Sequence, residues 1–241
     1  MNKALIITPT GRPIYHHEDY DKDNHWRFTK PERTYETCVV VYNDFQPEPG
    51  TYDYIIRRKG LKWNLAPEVS KIINWQDYDY IGVWDDDYAT DIQSVNRSLE
   101  LARRFDFPYF QQSLRSWTVY KCLEQDTSCN FTKTNFTEMG IPFYRQDIFR
   151  KVLRLLNDYQ YKESEWGIDK IMCDYLRLPA YIVHEVSAKH MRRESWYDKS
   201  NAFREMDYLM KDWFPKYMKE QFGLDYSYHD NQVVFEKYKL G

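Results

Sequence analysis

Glycine is scarce in this 241-residue sequence, with 8 residues, and no basic run exceeds Arg57-Arg58-Lys59. Collagen-like, glycine-linker and repeat-loop compositions are therefore excluded. The 34 Lys+Arg and 37 Asp+Glu nearly cancel, for a formal net charge of -3. Binding to nucleic acid or to an anionic membrane through bulk positive potential is excluded with them. Long hydrophobic runs are missing too. Stretches such as Cys38-Val39-Val40-Val41-Tyr42 are strand-sized, far short of the roughly 20 residues that span a bilayer. The apolar run Ala4 to Ile7 is too short for the core of a secretory signal. No C-x-x-C pair links the four cysteines Cys38, Cys122, Cys129 and Cys173, so reduced thiols are expected rather than a disulfide or zinc framework. The sequons at Asn96, Asn130 and Asn135 read as accidental. These absences describe a soluble, cytoplasmic chain.

Aromatic residues are abundant. The sequence has 22 Tyr, 13 Phe and 8 Trp, against a mean hydropathy of -0.80. Disordered chains are depleted in aromatics, so the low hydropathy reflects apolar rings with polar tips in a globular protein. Along the chain, Ala4 to Ile7 reads as a buried strand stopped by Thr8-Pro9-Thr10-Gly11. Thr37 to Tyr42, Tyr52 to Arg57 and Tyr78 to Trp84 read as three further strands. Helices are expected over Ala66 to Trp75, Ile92 to Phe105, Ile148 to Tyr159 and Ile168 to Leu176. Pro108 to Phe110, Phe136 to Phe143 and Ala180 to Val183 are shorter strand candidates, and Ser200 to Phe222 is a helical stripe interrupted at Pro215. Strands alternating with helices, with polar residues at the strand ends, predict an α/β fold with a ligand crevice at the C-terminal edge of the sheet.

Asp-x-Asp occurs at Asp19/Asp21, Asp21/Asp23, Asp77/Asp79 and Asp85/Asp87, so the spacing alone carries no information. Context separates the last pair, because Asp85-Asp86-Asp87 directly follows the strand-like Tyr80 to Trp84. Three like charges at one strand end call for a compensating cation. In extended backbone Asp85 and Asp87 share a side, which suits a divalent metal held beside substrate phosphates. The alternative is a solvated acidic loop capping the helix that starts near Asp91. The Thr8 to Gly11 turn lacks both the P-loop pattern and Gly-x-Gly-x-x-Gly. It reads as a nucleotide-facing loop or a plain turn. Asn43-Asp44 could hydrogen-bond a base or ribose. His184 and His190 follow the last strand; one lying in Lys189 to Arg193 suits a metal or a diphosphate. Asp169 falls at a helix start, where the dipole favours its ionised form, with Glu165 nearby.

The ordered set resembles GT-A-type, nucleotide-sugar-dependent glycosyltransferases. It is most similar to a small family found in large algal viruses and in related bacterial and eukaryotic proteins. The resemblance rests on Gly60-Leu61-Lys62-Trp63, Tyr78 to Asp87, Phe110-Gln111-Gln112-Ser113-Leu114, Thr134 to Met139, Trp166-Gly167-Ile168-Asp169 and Lys189-His190-Met191-Arg192, within residues 4–195. It implies a Rossmann-type, mixed but mainly parallel sheet flanked by helices. A catalytic domain would span 1–195 and a C-terminal helical extension 196–241.

The resemblance also implies Mn²⁺ or Mg²⁺ and a nucleoside-diphosphate sugar donor of UDP type, with a glycan or other hydroxyl acceptor. The class of sugar moved is open. Asp85, Asp87 and His190 would touch the metal, with Asp86 at the ribose. Thr8, Thr10, Gly11, Asp44 and Lys62 would line the nucleotide. Gln111, Ser113, Asn135, Glu138, Trp166 and Asp169 would face sugar or acceptor. In an inverting reaction Asp169 would deprotonate the acceptor, with Glu138 second; in a retaining one either would stabilise an oxocarbenium-like centre. Trp63, Trp84, Trp117 and Trp166 could stack on sugar faces or belong to the core. The sequence departs from the pattern at Gln112, where proline is expected, and over Met191 to Trp196. A non-catalytic nucleotide-sugar or glycan-binding module is the competing class. An Asp-metal phosphatase would carry its pair after the first strand, and a nuclease would need a basic track.

Overall fold

The computed structural model describes residues 3–13, 20, 22–48, 50–115, 118–159, 161, 164–191, 198–228 and 232–240. Ten strands and six α-helices are found among them. The strands are β1 (Ala4–Thr10), β2 (Tyr35–Val41), β3 (Tyr54–Arg57), β4 (Tyr80–Val83), β5 (Tyr88–Ala89), β6 (Tyr109–Leu114), β7 (Phe131–Thr134), β8 (Phe143–Arg145), β9 (Ala180–His190) and β10 (Val234–Tyr238). The helices are α1 (Lys62–Ser70), α2 (Ile92–Phe105), α3 (Gln146–Asp158), α4 (Ile168–Leu176), α5 (Lys199–Tyr208) and α6 (Phe214–Phe222).

The sheet runs β10-β7-β9-β6-β8-β4-β1-β2-β3, with β5 pairing β9 off this path. β3, β2, β1 and β4 are mutually parallel, whereas β8 is antiparallel to both β4 and β6. β6 and β9 are again parallel, and β7 is antiparallel to β9 and β10. The sheet is therefore mixed with a parallel half, as the resemblance implies, in the α/β fold that the alternation of strands and helices predicts.

Alternating side chains on the parallel strands feed two cores. Leu5, Ile7, Val40, Ile81 and Val83 pack with α1, α3, α4 and the C-terminal Leu209 to Met218. Ala4, Ile6, Tyr80 and Phe110 face the other way, onto Val95, Leu99 and Ala102 of α2 and onto Trp26. Helix α2 is capped by Asp91, whose carboxylate accepts the Ser94 N–H at 2.7 Å. Helices flank both faces, and the C-terminal segment adds α5, a π-helical turn over Leu209–Trp213 and α6. α5, the π-helical turn and α6 follow one another without a break, and the π turn, in which the Phe214 N–H donates to Leu209 O, directly precedes Pro215. The C-terminal segment also contributes β10 to the sheet.

Several elements differ from the pattern read in the sequence. β9 runs on past Val183 to His190, so His184 and His190 lie within it rather than after the last strand, and β10 follows it in the chain. Phe136 to Phe143 is a connection, with β7 ending before it and β8 beginning at its last residue. Its loose alternation comes from Phe136 and Ile141 filling the second core from irregular backbone. Helix α1 begins at Lys62 rather than Ala66 and stops at Ser70, so Pro67 lies inside the helix. β1 runs on through Pro9 to Thr10, its register with Val40 and Val41 unbroken. All four cysteines are free.

Candidate active site

The parallel strands deliver their C-terminal ends to one edge of the sheet. β1 ends at Thr10, followed by Gly11 and Arg12, and β4 ends at Val83, followed by Trp84 and the Asp triplet. Two backbone bonds fix the start of that triplet: Trp84 N–H donates to Ile7 O at 2.9 Å and Asp85 N–H to Gly140 O at 2.7 Å. β5 then turns the chain against the end of β9, so that Tyr88 pairs with His190. Met191 N–H closes the turn on Asp87 O at 2.8 Å.

Each aspartate has its own cationic neighbour. Lys62 Nζ lies 2.8 Å from Asp85 Oδ1 and donates to Met139 O at 2.6 Å. Asp86 accepts from Arg12 Nε at 3.0 Å and Nη2 at 2.6 Å, and from Thr10 Oγ1 at 2.8 Å. Asp87 Oδ2 lies 3.4 Å from His190 Nε2, and the imidazole stacks on Tyr88 with ring centroids 4.6 Å apart. A fourth cation, Arg27, donates from Nη2 to the Asp86 carbonyl at 2.7 Å. Arg27 is buried, and its Nε and Nη1 have no hydrogen-bond partner among the described residues. The repulsion within the triplet is thus met by basic side chains drawn from four separate places in the chain.

A second group of acids lies across Met139. Glu138 and Asp169 line one narrow crevice with Trp63, Thr137, Met139 and Ile168, which in this structure is closed too tightly to admit a water molecule. Glu138 is tied at its backbone, where its N–H donates to Gln111 Oε1 at 2.6 Å, and Tyr88 Oη donates to its carboxylate at 3.4 Å. Burial pushes its carboxyl up to about 7, with the Asp169 charge adding to the rise. Burial likewise pushes Asp169 up to about 6, against the pull of the adjacent Lys170. Glu165 is pushed up to about 8 by burial, against the Lys62 charge. It adopts a left-handed conformation, with φ of 75°. Its carboxylate accepts the Trp63 N–H at the first turn of α1, whose own N-cap residue Leu61 makes no side-chain bond. At the triplet, partial loss of solvent raises the half-exposed Asp85 carboxyl, against the pull of Lys62, and the charge of Asp87 raises it further. Burial depresses His190, but its hydrogen bond and charge pairing with Asp87 prevail and raise it.

The remaining residues read from the sequence fall in different places. Gly11 packs so closely that a Cβ there would lie 2.5 Å from Asn43 Nδ2 and 2.6 Å from the Tyr42 ring. Thr8 is buried within β1, and its hydroxyl is without a partner among the described residues. Asp44 is exposed beyond β2, and its carbonyl accepts from Gln46 Nε2 at 3.1 Å. Ser113 is buried and donates to Val186 O at 2.9 Å. Asn135 Oδ1 accepts the Val233 N–H at 2.7 Å, beside β10. Trp166 is half-buried and meets Phe203 of α5 edge-on. Trp63 and Trp84 have no exposed surface and belong to the cores. Trp117 lies outside the described residues, as do Arg192 and Arg193 of the basic stretch and the departing loop beyond Met191. Gln112 is buried and bridges Thr90 Oγ1 at 3.0 Å and Ser98 Oγ at 3.2 Å, joining β6 to α2. His184 is held between Asp126 N–H and Thr132 Oγ1, each at 3.0 Å, and burial depresses it to about 4. It is separated from the triplet, whereas His190 adjoins it.

No protein-family model and no curated protein matches the sequence. Solved structures do match. TarS residues 1-349 from S. aureus superposes with a TM-score of 0.58 at 9% identity, covering 86% of this chain and 64% of that one. The same TarS segment in complex with UDP-GlcNAc gives a TM-score of 0.51 at 12% identity, over 86% and 65%. A197 from STIV covers 79% of this chain at 12% identity, with a TM-score of 0.44. This chain has a GT-A-like fold. It spans slightly less than two thirds of the TarS segment.

Within that fold, Arg12, Arg27, Tyr88 and Glu165 meet the triplet or its supports, and none was singled out for the site from the sequence. Arg12 follows Gly11 directly and Tyr88 follows Asp87, so adjacency was the signal for those two. For Arg27 and Glu165 no spacing points to the contact. The donor set at Asp85, Asp87 and His190, two carboxylates and an imidazole, is of the kind that fits Mn²⁺ or Mg²⁺ completed by substrate oxygens. Among the described residues no group of three His, Cys, Asp or Glu side chains is gathered tightly enough to hold a metal ion.

Proposed function

We propose that this chain is a glycosyltransferase that moves a sugar from a nucleoside-diphosphate donor, of UDP type, to a hydroxyl acceptor. One observation carries the reading. At the C-terminal edge of a GT-A-like sheet, the Asp triplet with His190 stands beside a crevice holding two carboxylic acids of raised pKa. The UDP-GlcNAc complex of TarS supports a donor of this class.

Asp85, Asp87 and His190 would hold Mn²⁺ or Mg²⁺, which supplies charge neutralisation for the departing diphosphate. Thr10, Arg12 and Asp86 form a connected polar set at the end of β1, suited to ribose hydroxyls and the adjoining phosphate. Lys62 holds Asp85 and adds positive charge where the leaving group gains negative charge. Asp169, with its carboxyl near 6, is largely ionised at neutral pH and basic enough to accept a proton from an acceptor hydroxyl. Glu138, near 7, is the second candidate. Turnover by Asp169 as base rises with pH through about 6.

The test is release of nucleoside diphosphate from a panel of nucleotide sugars with and without Mn²⁺, beside thermal shifts of the same mixtures. Asp87→Ala abolishes Mn²⁺-dependent release; unchanged turnover in that variant removes the proposed metal role. The binding-module reading has one observation in its favour, that each aspartate already has a basic neighbour within the chain. Metal-independent binding without turnover across the panel would establish it.

A further inference from the structure

The sheet ends at β3, and no described strand lies beyond it. β3 pairs in parallel with β2, with Tyr54 beside Cys38 and Arg57 beside Val41. Arg58 N–H donates to Val41 O at 3.0 Å. Alternate residues of a parallel strand address one neighbour, so Tyr54, Ile56 and Arg58 face β2. Ile55 and Arg57 turn their N–H and C=O groups to the open edge, and Asp53 stands in the bend just before the strand. Such an edge is a template for another strand. It is also apolar, since Ile55 is 47% and Ile72 is 59% exposed. These two line a cavity of about 420 Å³ whose other walls include Tyr54 and Tyr78 and the polar Asp53, Asn74 and Asp77.

We propose that this edge pairs with the β3 edge of a second copy of the chain, antiparallel about a two-fold axis through Ile55. The charge order along the strand selects this partner. Asp53 precedes the apolar pair and Arg57-Arg58-Lys59 follows it. Centring the dyad on Ile55 makes it the hydrogen-bonded pair with its symmetry copy. Asp53 then stands opposite Arg57 of the second copy, on both sides of the axis. Tyr54 meets Ile56 of the second copy on the other face. Both groups already have contacts within the chain: Asp53 Oδ2 accepts from Arg33 and the Thr37 N–H, and Arg57 donates from Nη2 to Gln46 Oε1 at 2.7 Å and from Nη1 to Phe45 O at 3.3 Å. The pairing across the axis would therefore use Asp53 Oδ1, which has no partner among the described residues. A parallel arrangement, or a one-residue slip, loses this match of opposite charges. The inference is independent of the sugar-transfer reading.

Sedimentation velocity of the full chain from about 1 to about 100 µM, the range for a small interface, is expected to approach twice the 29.5 kDa chain mass. Ile55→Lys sets two ammonium groups against each other on the axis. It raises the dissociation constant roughly thirtyfold or more, as for a central interface residue, without altering the melting curve of the monomer. Ile55→Cys gives a covalent dimer on oxidation, because a hydrogen-bonded pair puts its Cα atoms about 5.5 Å apart. Lys59→Cys does not, since its copies lie roughly 26 Å apart in this register. A single-chain mass at the highest concentration overturns the proposal. So does a dimer unaffected by Ile55→Lys, or crosslinking of Lys59→Cys as efficient as that of Ile55→Cys.

Discussion

Lys62→Met isolates the contact that supports the first aspartate of the triplet. Methionine keeps most of the stem's volume and helix propensity, so the change removes charge and hydrogen bonding more than packing. The lysine side chain is 3% exposed and that of Asp85 is 37% exposed, with a 2.8 Å separation. Breaking a fully buried pair costs about 3–5 kcal/mol. The solvent reaching Asp85 screens part of this, and we take about 2 kcal/mol for the ion pair. Loss of the 2.6 Å bond to Met139 O leaves a carbonyl short of a donor and adds about 1 kcal/mol. The total, about 3 kcal/mol, corresponds to a fall of roughly 6–12 °C in Tm for a chain of this size. Urea unfolding followed by tryptophan fluorescence measures it. The double variant Lys62→Met/Asp85→Asn has no uncompensated charge and is expected to regain about 2 kcal/mol of the loss. Millimolar Mn²⁺ should stabilise the single variant more than the double, because the aspartate then has no competing ammonium. A single-variant loss below about 1 kcal/mol, or a double variant no more stable than the single, would refute this account.

Other consequences follow from the same buried acids. Glu138, Glu165 and Asp169 have carboxyls raised to about 7, 8 and 6, so the folded chain holds protons that the unfolded chain releases near pH 4. Their stabilising contribution is complete below that pH and is lost as the pH rises through 6 to 8. We expect urea stability to fall by on the order of several kcal/mol between pH 5 and pH 8; a flat profile would contradict the burial of these groups. Glu165→Ala removes the acceptor for the Trp63 N–H at the start of α1, costing about 1–2 kcal/mol. Glu165→Gln keeps an acceptor, so it should hold the helix start and flatten the pH profile above 7, as measured by the same denaturation series.

Much of the fold was legible because its strongest signals are local. Helices α2 and α4 begin and end where apolar spacing places them, with Asp91 capping α2. The parallel strands near the N-terminus show as apolar runs because they are buried on both faces. The Phe136 to Phe143 stretch misled because burial, not strand geometry, selects its apolar residues. Helix α1 starts early because its cap comes from Glu165, 102 residues away in sequence.

The same division holds at the site. Sequence by itself determined the chemistry available at one strand end, since Asp85, Asp86 and Asp87 are adjacent and follow an apolar strand whatever the rest of the chain does. Tertiary structure decided how that charge is shared. It gives Asp85 to Lys62, Asp86 to Arg12 and Asp87 to His190, and it excludes His184 from the set. It also places Glu138 and Asp169 in one crevice, where burial raises both carboxyls. Charge compensation and desolvation depend on distances through space, and only the folded sheet brings the ends of β1, β4 and β9 and the helix starts to the same edge.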